Sequence, residues 1–130
     1  MSDYRRASKC IIAGCNNLGH PANTTGYYPA FGGVMNNVVT FYQEPIAYGG
    51  TLRRLYIHTQ LAPGAGQTVT LTVFVNGVAT ALTATIADAA VDAADLVNNV
   101  PIAEGQRVNV QIVTSVGSAA QPLTWGFRLD

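Results

Sequence analysis

Between residues 68 and 86 the chain alternates with little interruption. Val69, Leu71, Val73 and Val75 stand between Thr68, Thr70, Thr72 and Phe74, and after Asn76-Gly77 the pattern resumes with Leu82, Ala84 and Ile86. A period of two puts successive side chains on opposite faces of an extended backbone, so each run reads as a strand with one buried face. Asn-Gly between two such runs accepts the positive φ that both central residues of a type I′ turn require. The pair predicts a β-hairpin, and an isolated hairpin is marginal in water, so further strands must cover its apolar side.

Those strands are legible on either side. Leu55, Ile57, Thr59 and Leu61 alternate with Arg54, Tyr56, His58 and Gln60, which predicts a strand over 51–61, with another at Val38 to Tyr42 before it. After a turn at Glu104-Gly105, Val108, Val110 and Ile112 alternate with Arg107, Asn109 and Gln111. At the end, Leu123, Trp125, Phe127 and Leu129 face one way while Thr124, Gly126 and Arg128 face the other. Residues 87–97 resist the pattern. They are rich in alanine, and Asp88, Asp92 and Asp95 fall at i, i+4 and i+7, on one face of a short helix if one forms. The alternative is a loop followed by a strand from about Leu96 to Ile102. About six to eight short strands separated by turns indicate an all-β chain, a β-sandwich of the jelly-roll kind over 34–130.

Composition fits one such domain. The chain has 130 residues, of which 48% are hydrophobic and only 11% charged, with formal net charge +0; about 25% charged is usual. One lysine, Lys9, and six scattered arginines cannot neutralise a row of phosphates, which argues against a nucleic-acid partner. A mean hydropathy of +0.21 is too high for a disordered chain. The apolar residues are too dispersed for a membrane span of about 20 residues. Met1 to Arg6 lacks the apolar core of a signal peptide, so synthesis in the cytosol is expected.

Residues 1–33 carry Arg5, Arg6 and Lys9, seven glycines and prolines, and no sustained period. They read as an N-terminal arm whose Ile11, Ile12, Tyr27, Tyr28 and Phe31 must be covered by the arm's own domain, by a neighbouring subunit or by a larger surface.

Candidate chemistry is sparse. Cys10, Cys15 and His20 could give three metal ligands, but their spacing departs from the usual zinc pairs and the nearest fourth ligand is His58, so no metal is expected. The two cysteines read as a reduced pair, or else as a disulfide. His58 has no nucleophile signature near it and reads as a strand histidine at a surface or interface. Asp88, Asp92 and Asp95 lack the ligand alternation of a calcium loop and read as a solvated edge. Asn23-Thr24-Thr25 matches a glycosylation acceptor and reads as part of a turn.

Several stretches taken together resemble a known family. Leu61-Ala62-Pro63-Gly64-Ala65-Gly66-Gln67 leading into Thr68 to Val73, Val75-Asn76-Gly77-Val78, Val100-Pro101-Ile102-Ala103-Glu104-Gly105-Gln106 and the closing Thr124-Trp125-Gly126-Phe127 are similar to the small trimeric jelly rolls of tailed-bacteriophage virions, with a fold like tumour necrosis factor. The likeness covers about residues 49–130 and rests on turn chemistry and strand patterning. It implies a non-enzymatic homotrimer on the virion surface: a capsid decoration (cement) protein bound to the major capsid protein, or alternatively a receptor- or carbohydrate-binding fibre tip. Capsid docking would fall to Tyr4, Arg5, Arg6, Lys9, Ile11, Ile12, Tyr27, Tyr28 and Phe31 of the arm. Tyr42, Tyr48, Tyr56 and Phe74 are the aromatic candidates for the trimer contact, the alternative being that some cover the core from the far sheet. No cofactor is implied.

Overall fold

The computed structural model describes residues 10–16, 19–119 and 122–130. They form ten strands and no α-helix: β1 (Cys10–Cys15), β2 (Thr25–Pro29), β3 (Glu44–Pro45), β4 (Gly50–Thr59), β5 (Gly64–Val75), β6 (Val78–Asp88), β7 (Asp92–Asp95), β8 (Val100–Ile102), β9 (Arg107–Thr114) and β10 (Leu123–Leu129). Every pairing between them is antiparallel. One sheet runs β1-β10-β4-β7 with β8 also on β4, and the other runs β2-β9-β5-β6 with β3 also on β9. The chain is an all-β, two-sheet sandwich.

Alternation decides what lies between the sheets. Leu123, Trp125, Phe127 and Leu129 of β10 face Leu71 and Val73 of β5, Leu82 and Ile86 of β6, and Val108, Val110 and Ile112 of β9 in a single core. Each fully buried aliphatic side chain there stabilises the fold by about 1.5–3 kcal/mol. The hairpin is as the sequence predicts: Val75 pairs with Val78, and Asn76 (φ 50°) and Gly77 (φ 77°) hold the left-handed turn between them.

One strand keeps its core only by breaking the period. Leu52 and Leu55 of β4 are both fully buried, although three positions apart they should face opposite ways. Opposite Gly126 to Arg128 of β10, β4 runs from Tyr56 to Arg53 and so carries one extra residue. Arg54 sits in this β-bulge with φ 58°.

Three expectations are corrected. The sandwich does not begin at residue 34: β1 closes one edge of the first sheet, β2 closes an edge of the second, and Ile12, Tyr28 and Ala30 are core residues, so of the coverings expected for the arm its own domain supplies theirs. The physical reason is at Gly14, where an added Cβ would come within 2.5 Å of the Gly32 backbone nitrogen. Residues 30–33 lie flat on β1 there, Gly33 donates to the Cys15 carbonyl, and the Trp125 indole donates to the Ala30 carbonyl at 2.7 Å. The glycines and prolines that erase the period are what let the segment cross from one sheet to the other. Residues 87–97 form no helix; β6 runs on to Asp88, β7 follows, and Leu96 lies in the loop before β8. Val38 to Tyr42 is not a strand but part of a turn-rich segment.

Candidate functional site

Residues 31–43, which carry no charged side chain, run along the β2 edge of the β2-β9-β5-β6 sheet and then over its outer face at β9. Asn36 pairs through its backbone with Tyr27 of β2, Met35 packs against Gly26 from the core side, and the Asn109 amide, fully buried on β9, donates to the Val39 carbonyl at 2.8 Å. Beneath, Tyr27 and Phe74 meet edge to face at 5.5 Å. Farther along, threonine hydroxyls bond across β5 and β6, Thr70 with Thr85 and Thr72 with Thr83, each at 2.9 Å. The segment leaves Phe31, Val34, Val38 and Phe41 about half or more exposed, at 52%, 55%, 48% and 63%.

Where β1 crosses to β2, buried polar groups hold the connection. His20 is 2% exposed, its Nε2 lies 2.9 Å from the Thr24 carbonyl and its Nδ1 2.7 Å from the Tyr28 hydroxyl. A carbonyl only accepts, so Nε2 carries the proton and Nδ1 accepts from Tyr28. Burial pushes the His20 pKa down, partly opposed by the Thr24 bond, and burial pushes the Tyr28 phenol up, partly opposed by the Asn16 amide. Thr114 completes the clasp by donating to the Pro21 carbonyl and accepting from the Thr24 N–H.

The outer face of the β1-β10-β4-β7 sheet is built otherwise. Antiparallel register sets its side chains in rows across the strands: Ala13, Gly126, Tyr56 and Ala94 in one, and Cys15, Thr124, His58 and Asp92 in the next. His58 Nδ1 and Asp92 Oδ1 are 2.7 Å apart and both side chains are exposed. A depression of about 420 Å³ lies over this pair, with Tyr56, Ala94, Thr124 and Gly126 in its lining. A second, of about 240 Å³, lies on the other side of Tyr56 and Gly126, against Ile11, Arg54 and Arg128. Arg128 reaches Asp130 at 2.7 Å and Arg53 reaches it at 3.4 Å. The three aspartates that share a helical spacing serve three separate purposes: Asp88 accepts from the Gly66 N–H, Asp92 from His58, and Asp95 anchors the β7–β8 turn. Burial alone would raise the Asp95 carboxyl, but bonds from Asn98, Val97 and Thr83 hold it below the ordinary carboxylate range.

The residues expected to dock or to join copies are therefore scattered. Ile12 and Tyr28 are corrected from docking residues to core, and Tyr27 is half-buried beside Phe74. Ile11 and Phe31 are exposed, while Tyr4, Arg5, Arg6 and Lys9 lie outside the described residues. Among the trimer-contact aromatics, Tyr48 and Tyr56 are exposed and Tyr42 is half-buried against Phe41. Phe74 is corrected to a covered position at 7% exposure, because Tyr27 lies on it. Cys10 and Cys15 close no disulfide with each other: they are the two ends of β1, about 16 Å apart at strand rise, against a reach of about 7 Å. Both ring nitrogens of His20 are engaged, and among the described residues no three His, Cys, Asp or Glu side chains gather as a metal site. Arg54 escaped the sequence reading as a site residue because a bulge leaves no mark in a period of two.

No protein-family model matches the sequence, and no curated protein matches it.

Proposed function

We propose that this protein is a non-enzymatic virion component of a tailed bacteriophage, a homotrimeric jelly roll that decorates the capsid and stabilises the lattice of the major capsid protein. The observation that carries the reading is the uncharged segment 31–43, which presents Phe31, Val34, Val38 and Phe41 to solvent. Cores of protein interfaces are depleted in charge and rich in aromatic side chains, and exposed apolar patches of this kind mark contact surfaces. The strand orders support the jelly-roll assignment: β1-β10-β4-β7 faces β2-β9-β5-β6, and the strands pass between the two sheets in the order of two interleaved Greek keys.

In this reading segment 31–43 buries its apolar side chains against a second copy and the capsid. Tyr48 adds an aromatic contact at the end of the sandwich that holds the Asn76-Gly77 turn. Arg5, Arg6 and Lys9, ahead of β1, supply charge toward an acidic patch of the capsid. Three copies on one threefold multiply a weak individual contact into firm attachment. Sedimentation equilibrium of the full chain tests the oligomer: about three times 13.7 kDa is expected, and Phe41→Ser with Val38→Ser shifts the mass to that of one chain. Co-sedimentation with capsids stripped of the protein tests the attachment. A single-chain mass at every concentration together with no co-sedimentation overturns the reading.

A further inference from the structure

The two depressions on the outer face of the β1-β10-β4-β7 sheet share Tyr56 and Gly126, so they are two halves of one trough. Its floor is open because β10 has a glycine there: a Cβ added at Gly126 meets nothing within 4 Å. One end is cationic. Arg53, Arg54 and Arg128 stand there, and the side-chain carboxylate of Asp130 takes Arg53 and Arg128. Arg54 has no ion-pair partner among the described residues, and it is the bulge residue whose φ of 58° disfavours an L side chain. The other end offers hydrogen bonds from His58 and Thr124. With Nδ1–H directed at Asp92, the Nε2 of His58 is left to bond a ligand hydroxyl, and the Thr124 hydroxyl lies in the next position of the row.

We propose that this trough binds an acidic saccharide, with a sugar carboxylate on Arg54, a pyranose ring lying over Gly126 against Tyr56, and hydroxyl groups meeting His58 and Thr124. A guanidinium takes a carboxylate through two parallel hydrogen bonds, and an unpaired one loses no existing bond in doing so. The Tyr56 ring, 52% exposed, offers an apolar surface to the C–H face of a sugar. An acidic peptide fits less well. Peptides that dock on sheets gain most of their affinity from free strand edges, whereas β10 lies between β1 and β4, and β4 between β10 and β7, with their backbones already paired. This site is on the opposite sheet from segment 31–43, so it stands or falls independently of the oligomer and capsid contact.

The test is calorimetric titration of the full chain with oligogalacturonate and with oligosialate, which separate hexuronic from sialic acid as the source of the carboxylate. Saturable binding of at least one is expected, weakened at least about tenfold when its carboxyls are reduced to alcohols. Arg54→Gln should cost a similar factor. Gly126→Leu should abolish binding by filling the floor, and both variants should keep the melting temperature and oligomeric mass of the parent. Tyr56→Ala provides a further surface change should Gly126→Leu disturb β10. No saturable binding of either oligosaccharide, binding indifferent to Arg54→Gln and Tyr56→Ala, or equally tight binding of oligoglutamate overturns the proposal.

Discussion

On the outer face of the β2-β9-β5-β6 sheet, several polar groups are answered from within the chain: Thr70 by Thr85, Thr72 by Thr83, Gln111 by the Tyr27 hydroxyl, and the Asn109 N–H by a carbonyl of the segment lying on top. On the outer face of the β1-β10-β4-β7 sheet, Arg54 stands in a left-handed bulge without an ion-pair partner among the described residues, Gly126 leaves its place empty, and Tyr56 stands exposed in the cross-strand position beside it. Both faces come from strands of the same period and similar composition. The difference teaches that one face is finished by its own chain while the other holds unfavourable local choices. Strain of this kind costs about 1–3 kcal/mol, and here the bulge that carries it keeps Leu52 and Leu55 both in the core while setting Arg54 beside the trough.

The sharpest way to break this comparison is to truncate one aromatic on each face. Phe74→Ala removes a ring buried beneath Tyr27 and is expected to cost about 3–5 kcal/mol in urea unfolding, while Tyr56→Ala on the open face stays within about 0.5 kcal/mol. Equal losses would show that the two faces are covered alike.

The two histidines give the next contrast. Tyr28→Phe leaves the buried His20 Nδ1 without its donor, at an expected cost of about 1–3 kcal/mol. His58→Gln breaks an exposed pair and costs about 0–1 kcal/mol. The acid side of the stability curve belongs to His20 in the same way. Its folded pKa lies below the unfolded value of 6.5, so the neutral form is favoured by folding. That stability is complete above about pH 6.5 and is lost as pH falls from there toward the folded pKa, because the unfolded chain binds the proton more readily. Melting temperatures measured across this range should fall on acidification, and the slope should flatten in His20→Gln.

Smaller effects test the open face itself. Arg54→Gly relieves a left-handed L residue worth about 1–2 kcal/mol and loses part of that to backbone entropy, leaving a net gain of about 0.5–1 kcal/mol by the same unfolding assay. Destabilisation would mean that the arginine holds the bulge together. Gly126→Val, which adds a side chain where nothing stands within 4 Å, should change stability by less than about 0.5 kcal/mol.

Much of this molecule is written in its alternation. The hairpin, the inward residues of β9 and β10, and Leu55, Ile57 and Thr59 of β4 all follow from a period of two and one Asn-Gly turn, because side-chain direction along a strand is a local property. Tertiary structure alone decided the rest. Ile12 and Tyr28 became core residues because Gly14 lets residues 30–33 lie against β1, an approach between segments that no local pattern records. Arg54, Gly126 and the His58–Asp92 pair became neighbours through the register of β4, β7 and β10, and register is set by which strands pair across the whole fold. Spacing along the chain could place each of these residues on a strand, but only pairing between strands could bring them to one surface.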